Sequence, residues 1–156
     1  MNEQLESLFP QLHGASYEIT SPATPDYNCI AWAAIDDSRW WEPDGFGLYY
    51  WPESAPRQYT LEAYAEAFRW LGFERSGDPT FEQGWEKVAI FADKDGKPTH
   101  AARELTNGKW TSKLGTLEDI MHPELEHVSG EHYGKPVLIL RRRTGGPTSL
   151  PTEANP

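Results

Sequence analysis

Cysteine is almost absent from this chain of 156 residues: Cys29 is the only one, and there are two methionines. A single cysteine excludes an internal disulfide framework, so nothing in the fold requires an oxidising compartment. Basic residues are scarce as well, with 14 Lys and Arg against 24 Asp and Glu, a formal net charge of −10. That balance argues against nucleic acid and against an anionic membrane surface, both of which need basic patches. Arg141-Arg142-Arg143 is the one basic cluster, and it reads as a solvated strand end. No apolar run is long enough to cross a bilayer, and the acidic start Met1-Asn2-Glu3-Gln4-Leu5-Glu6 has no signal-peptide pattern, so the expected location is cytoplasmic. Without such a leader, an exported role as a toxin or effector would need a specialised secretion route.

What is abundant is aromatic: seven Trp, seven Tyr and six Phe. With this length they predict one packed domain over residues 1–143. The Gly, Pro, Ser and Thr of 144–156 predict a disordered tail.

The chain is organised around Asp26-Tyr27-Asn28-Cys29-Ile30-Ala31-Trp32-Ala33-Ala34-Ile35. A turn-forming segment, Ser21 to Asp26, leads in. Asn28 is a good N-cap, and the apolar run behind it predicts a buried helix ending near Asp36-Asp37. Cys29 then occupies the first helical position, where unpaired N–H groups favour a thiolate. The plainer reading is a small buried hydrophobe. Trp40 to Gly47 and Tyr49-Tyr50-Trp51-Pro52 form an aromatic loop that either lines a substrate groove or pins a long connection.

Further along, Thr60 caps an amphipathic helix carrying Leu61, Tyr64, Phe68 and Leu71, with Gly72 at its C-terminal end. The strands expected are 86–92, 99–105, 110–114 and 137–142. Asn107-Gly108 between two of them is a strong hairpin signal. Thr116, Glu118 and Asp119 read as the start of a short helix running to His122.

A thiol needs a base, and His100, opening a strand, is the histidine best placed by type and position. Which residue orients its imidazole depends on the hairpin loop. A two-residue loop puts Lys113 on the His100 face; a three-residue loop or a bulge puts Ser112 there. Glu104 and Asp119 are further carboxylate candidates. Tyr27, Trp51 and Trp110 are the aromatics expected to contact substrate. His122, His127 and His132 lie five apart, which is not a metal-binding spacing, and no cofactor or metal motif is present.

Tyr27-Asn28-Cys29 before an apolar helix resembles the Tyr-Asp-Cys that opens the catalytic helix of NlpC/P60 peptidases, within the papain-like superfamily. His100 to Ser112 around Asn107-Gly108 is similar to their histidine strand, Asn-Gly turn and following strand, with the third polar residue twelve places after the histidine. The chain also resembles an uncharacterised bacterial family with Tyr-Asn-Cys-Ile-Ala-Trp-Ala, Tyr-Trp-Pro, Pro-Thr-His-Ala-Ala-Arg and Lys-Trp-Thr-Ser-Lys-Leu-Gly blocks. It departs from NlpC/P60 in having serine as third residue and Ile30-Ala31 after the cysteine. The resemblance implies an α+β papain-like domain, with a buried cysteine helix on an antiparallel sheet. It implies a cysteine hydrolase or acyltransferase acting on an amide bond of a peptide or protein through Cys29, His100 and Ser112. A different class, a non-catalytic immunity or adaptor protein with a basic partner, fits the acidity equally.

Overall fold

The architecture is a single seven-stranded sheet in which every neighbouring pair is antiparallel. The computed structural model describes residues 2–144. Apart from Thr144, the tail expected over 144–156 lies outside the described residues. The strands are β1 (Glu18–Ser21), β2 (Glu74–Ser76), β3 (Trp85–Ala92), β4 (Pro98–Glu104), β5 (Trp110–Lys113), β6 (Asp119–His122) and β7 (Lys135–Arg143). They lie side by side in the order β1-β6-β5-β4-β3-β7-β2. The α-helices are short: α1 (Glu3–Leu8), α2 (Cys29–Ala33) and α3 (Leu61–Trp70).

The papain-like α+β expectation is therefore corrected: this is a β-rich fold with three short α-helices among the described residues. Two local misreadings account for the difference. The stretch after Thr116 is a hairpin return, with Leu117 N–H donating to Leu114 O and Leu114 N–H to Glu118 O, after which Asp119–His122 runs back along β5 as β6. Acidic residues there mark a turn rather than a helix start. Secondly, α2 stops after five residues. Ile35 takes a left-handed backbone (φ 61°), rare for a β-branched residue, and Asp36 N–H closes the end on Ala31 O. The strand β2, unforeseen, pairs with the outer edge of β7.

Both faces of the sheet are covered, and strand alternation sorts the side chains between them. On one face Val88, Ile90, Ala101 and Leu140 pack with α2, α3, Trp41 and Trp51. On the other, Ala89, Phe91, Ala102, Trp110, Ile120 and Ile139 pack with Leu5, Phe9, Leu12, Leu125 and Val128. The aromatic loop is largely a cluster: Trp41 is fully buried and its indole donates to Asp36. Asp44 holds the loop's tip by accepting from the backbone of Leu48 and Tyr49 and pairing with Arg57. No helix among the described residues is long and apolar enough to cross a membrane.

Candidate functional site

Asn28 fixes the tip of α2. Its side-chain oxygen accepts from Ala31 N–H at 3.2 Å and from Trp41 N–H at 3.1 Å, while its amide donates to Trp41 O at 2.7 Å. The cap and the aromatic loop are thus one unit, and Cys29 is the first helical residue. Its thiol faces a cleft of about 250 Å³ lined by Trp40, Tyr59, Tyr64, Thr99 and Tyr133. Burial pushes the thiol up to about 11, with the backbone N–H groups of Ala101, Ile30 and Cys29 and the charge of Lys113 opposing it. At neutral pH the resting thiol holds its proton.

His100 lies beside Phe91 in the strand register, one residue out of phase with Ala101 and hence on the face opposite the α2 core. It is fully buried, edge-on to Phe91, and covered by the ring of Tyr133, stacked at 4.1 Å with an angle of 5°. Pairing of β4 with β5 is confined to Arg103↔Thr111 and Glu104↔Trp110, so the strands part beside His100. Tyr133 borders both groups: it lines the Cys29 cleft and lies on the His100 ring. It sits in a loop closed by paired hydrogen bonds between Gly130 and Gly134. Gly134 is obligatory there: φ is 72°, and a Cβ would fall 2.0 Å from Ala92 O.

Four groups form a buried polar chain. His100 Nε2 is 2.9 Å from Ser112 Oγ, Ser112 Oγ is 2.8 Å from His122 Nε2, and His122 Nδ1 is 2.9 Å from Glu124 O. The last link sets the direction of all the others. A carbonyl only accepts, so His122 Nδ1 carries a proton. Burial pushes His122 down to about 4, with the Glu124 carbonyl holding it up and His127 adding to the fall, so the ring is neutral and Nε2 is a bare acceptor. The Ser112 hydroxyl therefore donates to His122 and accepts from His100 Nε2–H. That leaves His100 Nδ1 deprotonated, and this nitrogen is buried with no hydrogen-bond partner. Burial, with His122 alongside, keeps His100 well below the usual histidine range. The chain thus presents a neutral imidazole with its free lone pair on Nδ1.

The hairpin explains why Ser112 reaches the histidine. Leu105 N–H donates to Lys109 O and Gly108 N–H to Leu105 O, a three-residue loop with Gly108 at φ 84°. That register puts Ser112 with His100 and turns Lys113 to the other face. There Lys113 Nζ donates to Thr24 O, Gly115 O and Leu117 O at 2.8, 2.7 and 2.6 Å. Asp119 accepts from Tyr27 Oη at 2.5 Å and from Thr20, away from the imidazole. Glu104 lies at the far end of β4. Neither Tyr27 nor Trp51 lines the cleft: Trp51 donates its indole to Pro56 O in the core. Trp110 lines a different pocket, with Glu104. Sequence reasoning missed His122 and Tyr133. The period-two run Asp119-Ile120-Met121-His122 was the available signal that His122 shares a face with its strand partners. Among the described residues no His, Cys, Asp and Glu cluster is arranged to hold a metal ion.

Acid lability follows from His122. In the unfolded chain it takes up a proton below its ordinary value of 6.5, whereas in the fold it does so only near 4. Stability is complete above that window and falls through it, by roughly 3 kcal/mol for a shift of this size. Urea midpoints at pH 7 and 4.5 are expected to differ more for the wild type than for His122→Gln.

The model of DUF7689, a domain of unknown function, matches residues 18–141. The chain belongs to the DUF7689 family. No curated protein and no solved structure matches it. In this DUF7689 domain the matched span contains Cys29, His100, Ser112, His122 and Tyr133, and leaves out only α1 and the ends of the chain.

Proposed function

We propose that this DUF7689 domain is a thiol hydrolase or acyltransferase acting on amide bonds of peptides or proteins. One observation carries the reading: the polar chain from Glu124 O leaves His100 Nδ1 buried, unprotonated and unpartnered. An unmet buried acceptor costs about 1–3 kcal/mol, and a base awaiting a thiol proton gives that cost a use. Cys29 and Nδ1 are not hydrogen-bonded at rest; the transfer requires them to meet at the gap where β4 and β5 part, which Tyr133 borders on both sides. In the proposed reaction Cys29 Sγ attacks the amide carbonyl while its proton passes to His100 Nδ1. The imidazolium gives that proton to the leaving amine as the C–N bond breaks, leaving a thioester. Water or an acceptor amine, deprotonated by the same nitrogen, then takes the acyl group and restores the thiol. Isopeptides and glutamine side chains fit the same chemistry. Such a thiol stays reduced in a cytoplasm, where we place the protein.

The high pKa of Cys29 favours a second reading, a non-catalytic interaction protein in which the thiol only packs. Labelling with an electrophilic amide mimic separates the two. The hydrolase reading expects one adduct, on Cys29, lost in Cys29→Ala and slowed at least about a hundredfold in His100→Ala, the usual scale of a general base. A thiol modified only after unfolding, or equally fast without His100, establishes the second reading instead.

A further inference from the structure

A pocket of about 670 Å³ lies away from Cys29, between the loop before β3, the β4–β5 hairpin and the segment after β6. Its walls are apolar: Phe81, Trp110, Pro123, Leu125 and Pro136. Glu104 lines it too. This side chain is only 4% exposed, and its Oε1 has no hydrogen-bond partner. A buried carboxylate without donors is the kind of exception that asks for a ligand.

The cation nearest by register does not satisfy it. Lys87 lies one step past the Val88–Arg103 pair, on the same face, but its ammonium donates to Asp78 O and Thr80 O and pairs with Glu82 at 2.7 Å. Burial pushes the Glu104 carboxyl up to about 7, with Lys87 pulling it down and Glu82 raising it further. At the rim, Glu124 and Glu126 outnumber Lys135, in a chain of net charge −10.

We propose that this pocket binds the side chain of a lysine on a partner peptide or protein, the alkyl stem against Trp110 and Phe81 and the ammonium on Glu104. With Oε1 enclosed, the carboxyl group is reached end-on by a compact ammonium better than by the two-pronged guanidinium of arginine, which wants both oxygens in one plane. The apolar walls match the four methylenes of a lysine stem. The volume exceeds what one side chain fills and leaves room for flanking backbone, which favours a chain over a free amine. The site is independent of the thiol chemistry, so failure of either reading leaves the other standing.

The test is an NMR titration of the full chain with acetylated, amidated Ala-Lys-Ala, its norleucine and arginine counterparts, and n-butylamine. Saturable shifts at the Trp110 indole and the Gly108 amide are expected with the lysine peptide. Binding at least about tenfold weaker is expected for the norleucine peptide, and for the lysine peptide on Glu104→Gln, whose spectrum outside the pocket verifies its fold. Equal binding of the norleucine peptide, unchanged binding to Glu104→Gln, or no shift with the lysine peptide overturns the proposal. So does an arginine peptide or n-butylamine that binds as tightly, because the class would then be any cation or a free amine.

Discussion

Ser112→Ala is expected to destabilise the protein by about 2–5 kcal/mol, far more than loss of a serine hydroxyl usually costs. The hydroxyl is the only link between two buried imidazoles, at 2.9 and 2.8 Å. Its removal strands His100 Nε2–H and His122 Nε2 together, each a buried polar group worth about 1–3 kcal/mol when left unmet. Water does not easily replace it, since both rings are fully buried. A functional loss accompanies the destabilisation. Without the Ser112 acceptor, the proton on His100 is no longer tied to Nε2, and the tautomer with Nδ1–H, useless as a base, becomes populated. Denaturant titration at pH 7.5 should show a lower midpoint with an unchanged slope, and labelling of Cys29 should slow under conditions where the variant is fully folded. Ser112→Thr, which keeps the hydroxyl, is expected to retain more of both.

Lys113→Met is the second large effect, about 3–5 kcal/mol, and it acts on the opposite face of the same strand. The ammonium is buried and donates to three backbone carbonyls: Thr24, in the segment leading to α2, and Gly115 and Leu117, in the turn between β5 and β6. It also lies 5.1 Å from the centre of the Tyr27 ring. Methionine keeps the length and the apolar stem but leaves all three carbonyls without this donor, a larger penalty than the desolvation it relieves. Because Lys113 ties the approach to α2 onto the sheet, the variant should also loosen Cys29. Thermal unfolding gives the energy, and a faster thiol reaction with a small disulfide reagent, below the unfolding temperature, reports the loosening. A midpoint within about 0.5 kcal/mol of the wild type, typical of a surface substitution, would remove Lys113 from this role.

These two neighbours show what the sequence could and could not reveal. The Asn28 cap, Cys29 at the helix tip, the β3, β4, β5 and β7 strands and the α3 stripe were legible because each is a local pattern. Choosing between Ser112 and Lys113 was not local. Ala101, Leu105, Trp110 and Leu114 alternate in a way that fits a two-residue loop as well, yet Gly108 adopts a left-handed conformation that adds a residue and moves Ser112 to the histidine face. The β6 strand was misread for a related reason: Glu118 and Asp119 carry helix-start chemistry, but Leu114 and Ile120 find better burial in a hairpin. Tyr133 was invisible and His122 had only the period-two run of its strand to mark it, since their roles depend on which strands lie side by side. That same sheet order overturned the papain-like α+β architecture. Glu104 was considered as a partner for His100 and proved to hold a pocket of its own.

The most direct measurement is long-range proton–nitrogen NMR of the histidine rings, assigned with His100→Gln and His122→Gln, between pH 6 and 8. The proton chain requires His100 to show a bare Nδ1 and a protonated Nε2, and His122 the reverse, both unchanged across that range. A proton on His100 Nδ1, or an imidazolium forming near neutral pH, would contradict the assignment of His100 as the base for Cys29.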